Sequence, residues 1–188
     1  MVNGVDLTRL GQTIDAIAAD TELATFKFRV NNKWVDGGYN QSEIKNFYAT
    51  KQEIVRAEPF LAENDEPDVL LGQDNAPNPV EFVLHALAGC LTTSMVYHAA
   101  AKGYEVSHVS STLEGELDLR GFLGMDANVR KGYKKIAVRF DIEGNLSDEQ
   151  KEEMLGLTRF SPVFDIVSNA VPVEITMKTR KEVPAAAV

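Results

Sequence analysis

The chain has 188 residues, carries 28 acidic against 19 basic side chains for a net charge of −9, and contains a single cysteine. Hydrophobic residues at 44% and charged residues at 25% are ordinary for a chain long enough to bury a core, so wholesale disorder is excluded. The acidic balance repels phosphate backbones, one cysteine cannot close an intramolecular disulfide, and no CxxC or HExxH pattern offers a metal site.

Nucleic acid, metal and cofactors are therefore not expected. The N-terminal MVNGVDLTRLGQTIDA lacks the basic-then-apolar layout of a secretory signal, and no uninterrupted apolar run reaches the ~18 residues of a membrane span. The expected location is cytoplasmic, with no membrane partner.

In chain order, Leu7, Leu10, Ile14 and Ile17 form a helical stripe that Asp6 can cap, giving an N-terminal helical extension over residues 1–23. From Thr25 the period changes to two: Phe26, Phe28 and Val30 alternate with Lys27 and Arg29, which predicts a strand. NNKWVDGG, residues 31–38, reads as a turn, and Ile44 to Glu53 as its partner strand or a long hairpin arm. The acidic stretch 61–75 reads as a solvated loop around one short strand, Val69-Leu70-Leu71.

NPVEFVLHALAGCLTTSMVYHAAAKG, residues 78–103, predicts a long helix with Asn78 as N-cap, Pro79 in the first helical position and Gly103 as terminator. Its Ala- and Gly-rich interior predicts a largely buried helix that other backbone approaches closely. Val109, Leu113, Leu117 and Leu119 then share one register of a strand. Residues 121–133 break it with three glycines, and Ile136, Val138, Phe140 and Ile142 alternate through a second strand. Ser147 to Gln150 is a capping box opening a helix to about Leu157, and Ser161-Pro162 opens a short one ending near Asn169. Val171, Val173, Ile175 and Met177 predict a final strand, and residues 180–188 a disordered tail. Strands separated by grouped helices indicate an α+β fold.

Cys90 is the first candidate for chemistry. It lies about 16 Å inside its helix, too far for the N-terminal dipole to favour a thiolate. At about 100° per residue, His85 falls some 140° around from Cys90 and His98 about 80° around and ~12 Å along, so neither reaches it. Glu81 projects nearly opposite. An activating partner has to come from another element or another subunit; otherwise Cys90 is a small packing residue.

Residues 78–103 resemble the central cysteine-bearing helix of the OsmC/Ohr family. RFSPVFDIVSNAVPVEITMK, residues 159–178, resembles its second signature, Cys-Pro-Val followed by a short helix and a terminal strand. The resemblance spans roughly residues 24–179. It implies an intertwined α+β homodimer, with antiparallel-rich sheets wrapped around the central helices. It also implies a thiol peroxidase acting on organic hydroperoxides, in which Cys90 is the peroxidatic cysteine held as thiolate by an Arg/Glu pair. The family's second cysteine falls at Ser161. The glutamate's place is Val80, with Glu81 one residue later, and the nearest cations in the first hairpin are Arg29 and Lys33.

Two readings follow from the resemblance. One is a single-cysteine peroxidase that uses Cys90 with Glu81 and depends on an external thiol reductant. The other is a non-catalytic module that binds a small hydrophobic ligand at the dimer interface. A cysteine that carries sulfur or another group between proteins is a third. The loop bearing Phe122, Leu123 and Met125 is expected to pack against the dimer or a pocket.

Overall fold

The computed structural model describes residues 1–177. The first helix, α1 (Leu7–Ala19), is capped by Asp6, whose carboxylate accepts the Arg9 N–H at 3.1 Å. Ahead of it the Asn3 side-chain amide donates to the Tyr104 carbonyl at 2.8 Å and accepts the Val106 N–H at 3.0 Å. The first residues of the chain are thus clipped to a segment a hundred residues away.

The next stretch departs from the sequence expectation. NNKWVD is not a turn but strand β1 (Asn31–Asp36), paired antiparallel with β2 (Tyr39–Ile44) through a turn at Gly37-Gly38. Phe26 to Val30 holds only one isolated bridge, Lys27 to Tyr48. Alternation shows which side chains share a face, but only a partner with free N–H and C=O groups makes a strand.

The expected arm over residues 44–53 splits in two. Its first residue ends β2; a separate hairpin follows, β3 (Phe47–Ala49) with β4 (Gln52–Ile54), turned by Thr50 and Lys51 in the left-handed region. The acidic stretch supplies β5 (Phe60–Asn64), which pairs with β2 and completes the order β1-β2-β5. Val69-Leu70-Leu71 is not a strand: Asp68–Leu70 winds into one 3-10 turn behind Pro67, and left-handed Leu71 ends it.

Helix α2 (Pro79–Ala101) follows as expected, with Asn78 as N-cap and Gly103 at φ +76° just beyond its end. Strands β6 (Val106–Glu116) and β7 (Lys135–Gly144) form a long two-stranded ribbon. Leu119 leaves the strand expectation for a short helix, α3 (Leu119–Phe122), because Asp118 caps it by accepting the Arg120 N–H. Helix α4 (Asp148–Leu157) carries the expected capping box, and α5 (Pro162–Ser168) starts at Ser161-Pro162.

One core unites α2, α4, β6 and β7. Leu87, Leu91, Met95 and Ala99 recur every four residues on α2; Met95 and Ala99 meet Met154 and Leu157 of α4, while Val109 of β6 and Phe140 of β7 close over them. The fold is α+β, with antiparallel sheets and helices and the sole cysteine on α2.

Two further expectations change. Helix α2 is long and apolar enough to cross a membrane by length and composition, yet only Leu87, Leu91, Met95, Ala99 and Ala100 of its residues are buried within one chain. Residues 170–177 form neither helix nor strand and pair with no strand among the described residues, leaving Ile175 91% exposed. The expected tail, residues 180–188, lies outside the described part.

The chain's accessible surface is 14375 Å². A self-contained monomer of its 20.7 kDa exposes about 8,900 Å². Trp34, Phe28, Leu61 and Val173 are among the large apolar side chains left open.

Truncating Met95, which is fully buried, removes the centre of the α2–α4 contact. Met95→Ala is expected to lose about 2–5 kcal/mol of unfolding free energy in urea titration.

Candidate active site around the α2 cysteine

The site begins with how α2 is started. Asn78 accepts the Val80 N–H on its side-chain oxygen at 2.9 Å, and Glu81 reaches back to accept the Asn78 N–H at 2.8 Å. This reciprocal cap satisfies donors that the helix itself leaves free. The Asn78 amide also donates to the Glu66 carboxylate, which ties the helix start to the preceding loop.

That loop is organised by Asp65, one of the few buried polar side chains. Its carboxylate accepts the N–H groups of Glu66 at 2.8 Å, Asn75 at 3.1 Å and Gln73 at 3.3 Å. These donors, the Asn75 N–H foremost, hold the Asp65 carboxyl below the usual carboxylate range against the opposing effect of burial.

Cys90 is a free, half-buried thiol three turns into the helix. Its angular position is the border between two stripes. Leu87 and Leu91 on one side are buried; Ala86, Gly89, Thr93 and Tyr97 on the other are exposed. A Cβ built on Gly89 would meet nothing within 4 Å. Within one chain, then, no other backbone approaches Gly89, contrary to the sequence expectation.

The residues singled out from sequence are dispersed around this thiol. Because α2 is continuous, Glu81 stands about 180° around and ~13 Å along from Cys90. His85 is exposed and edge-on to Phe82, with ring centroids 6.4 Å apart, while His98 stacks on Phe160 at 4.3 Å. Arg29, outside any strand, holds Glu53 of β4 through two guanidinium nitrogens, at 2.8 and 2.9 Å, in an exposed pair. Lys33 is exposed on β1. Ser161 is buried and accepts the Phe164 N–H at 3.1 Å, which makes it the N-cap of α5. Among the described residues no cluster of three or more His, Cys, Asp or Glu could hold a metal ion.

Two grooves flank the first half of α2. One of about 630 Å³ runs past Asp74, Pro77, Glu81, Phe82 and His85. The other, about 540 Å³, lies between α2, β7 and α5, and sequence reasoning missed it. The signal was present: RKGYKK, residues 130–135, places four cations in six residues of an acidic chain. Chemically, the site offers a half-exposed thiol on a rigid helix, with no base supplied from its own helix.

Comparison with known proteins bears on the family and the fold. The family described as OsmC-like protein matches residues 72–176. An OsmC-like protein structure from Mycoplasma pneumoniae superposes with a TM-score of 0.59 at 14% identity, covering 77% of this chain and 89% of that one. An OsmC-like protein of unknown function from Vibrio cholerae gives 0.52 at 16%, covering 73% and 90%. An organic hydroperoxide resistance protein from Legionella pneumophila gives 0.50 at 19%, covering 74% and 88%. At these identities the structural likenesses show the fold alone. No curated protein matches the chain.

The Asp65 clamp has a pH signature. A carboxyl lowered on folding contributes stability in full above about pH 4, and that stability is lost as pH falls through the lowered folded value. Wild type is expected to melt above Asp65→Asn near neutral pH, and the gap to close on acidification. A gap independent of pH would show that the carboxylate charge is not what organises the loop.

Proposed function

Because the chain belongs to the OsmC-like protein family, we propose that it is a cytoplasmic, homodimeric thiol peroxidase that reduces small organic hydroperoxides through Cys90 alone. The observation that carries the reading is the position of Cys90. It is the chain's one cysteine, half-exposed on the helix that the family shares, beside a face of small residues open to an incoming molecule.

In the proposed reaction the Cys90 thiolate attacks the distal peroxide oxygen. The S–O bond forms as the O–O bond breaks; sulfur is oxidised to sulfenic acid, and the alkoxide leaves to take a proton from water. With Ser161 at the place of a second cysteine, no internal disulfide follows. One external thiol condenses with the sulfenic acid to release water and form a mixed disulfide. A second thiol then releases Cys90 as the free thiol and carries the disulfide away.

Several features support a second copy of the chain as part of the site. Large apolar side chains such as Trp34, Phe60 and Leu61 stand exposed on one chain, which a second copy would cover. Phe122, Leu123 and Met125 are exposed on the α3 loop, and the alternating segment 171–177 has no strand beside it among the described residues. Glu81 faces away from its own Cys90, so any part it has in thiolate activation is played across a subunit interface.

The non-catalytic reading, a ligand-binding module, is favoured by a different observation. Glu81 is engaged in the helix cap, Arg29 in the pair with Glu53, and Ser161 in the α5 cap. It predicts an unreactive thiol and binding that survives Cys90→Ala.

Hydroperoxide consumption with excess dithiol separates the two. The peroxidase reading expects turnover by wild type, the uncatalysed rate for Cys90→Ser, and a wild-type mass gain of one oxygen atom when reductant is withheld. Equal rates for both proteins would overturn it. Ser161→Cys is expected to trap a disulfide with Cys90 after one equivalent of peroxide. Ser161→Ala instead loses about 1 kcal/mol of stability as the α5 cap is removed.

A further inference from the structure

We propose that the groove between α2, β7 and α5 binds a medium-chain fatty carboxylate, its head held by Arg130 and Lys135 and its tail lying on Val83, Leu87, Ile136 and Phe164. All six side chains line this cavity of about 540 Å³, within the size range of small-molecule sites. Cys90 is not among its lining residues, so the site stands apart from the peroxidase reading.

The basic loop is a built platform. Tyr133 donates its hydroxyl to the Val80 carbonyl in the first turn of α2 at 2.9 Å. Its ring lies over Gly115 of β6, where a Cβ would come within 2.4 Å of the Tyr133 ring. Arg130 is fixed from the other side: a Cβ on Gly121 of α3 would meet the Arg130 carbonyl oxygen at 2.5 Å. The Lys134 N–H donates to the Glu116 carbonyl at 2.7 Å. Both close approaches require glycine, so the fold spends two positions on seating this loop against the helix.

Charge selects the ligand head. Lys134 is neutralised by Asp118 at 3.3 Å and Glu116 at 3.8 Å. Arg130 and Lys135 are exposed and make no ion pair among the described residues. Two uncompensated cations at the rim of an apolar groove, in a chain of net charge −9, complement one anionic head joined to an apolar body. Val80 to Leu87 spans about 10 Å along the helix, which suits an unbranched tail better than a compact anion.

The test is calorimetric titration of the intact protein with hexanoate, octanoate and decanoate below their micellar concentrations, with decanol as the neutral control. Affinity is expected to rise about tenfold per two methylenes and to be weaker for decanol than for decanoate. Arg130→Gln and Lys135→Gln are each expected to weaken decanoate about tenfold. Lys131→Gln, a neighbouring cation outside the groove, is expected to leave affinity unchanged, and Cys90→Ser to bind like wild type whether or not the thiol is a peroxidase. Equal binding of decanol, equal losses for Lys131→Gln, or association with anionic vesicles without binding of monomeric decanoate would overturn the assignment.

Discussion

Every functional feature described above depends on how α2 is held at its first turn. The reciprocal Asn78–Glu81 cap, the Asn78–Glu66 link and the Asp65 carboxylate form one connected polar cluster at that end. It begins the helix at one residue and so determines which angular position each later side chain takes. Cys90 falls on the border between packed and open stripes because the helix is continuous from this cap. A shift of the start by one residue would turn the thiol by about 100°, into the core or away from it. The same cap engages Glu81, which explains why a carboxylate so close in sequence to the cysteine does not serve it within the chain.

The second governing constraint is surface. The interior built by α2, α4 and the β6–β7 ribbon is well packed, with Met95 and Met154 fully buried. The N-terminal third of the chain, by contrast, leaves Phe28, Trp34 and Leu61 open. Apolar area on this scale is unfavourable in water at roughly 25 cal/mol per Å². The Gly89 face beside the thiol is open as well. On the proposed reading, a second copy of the chain would cover part of this surface and stand beside Cys90.

Local electrostatics run against the global charge. The chain repels anions as a whole, yet Arg130 and Lys135 stand uncompensated on a loop that Tyr133 pins to α2. A cationic rim is effective at short range, because screening in physiological salt confines such fields to about 8 Å. The strongly lowered Asp118 carboxyl, held chiefly by its hydrogen bonds to the Arg120 side chain, engages Arg120 and Lys134, which leaves Arg130 and Lys135 at the groove, and Lys131 beside it, without an ion pair among the described residues.

Much of the chain was legible from residue patterns. Asp6, Asn78, Ser147 and Ser161 each marked a helix start, because capping is a contact between residues two or three apart in sequence. The OsmC/Ohr resemblance placed Cys90 and Ser161 in their motifs for the same reason: those motifs are local. The strands were another matter. Residues 26–30 alternate well and form no strand, whereas polar NNKWVD does, because pairing depends on which edge lies alongside. The segment 171–177 alternates and finds no partner among the described residues. The groove could not be read either, since Val83, Arg130 and Phe164 meet only when α2, the basic loop and α5 pack together. Short-range caps and helical periods were determined by sequence alone; strand partners, the exposed face beside Cys90 and the cationic groove were decided by tertiary structure, because each needs groups distant in the chain to share one place.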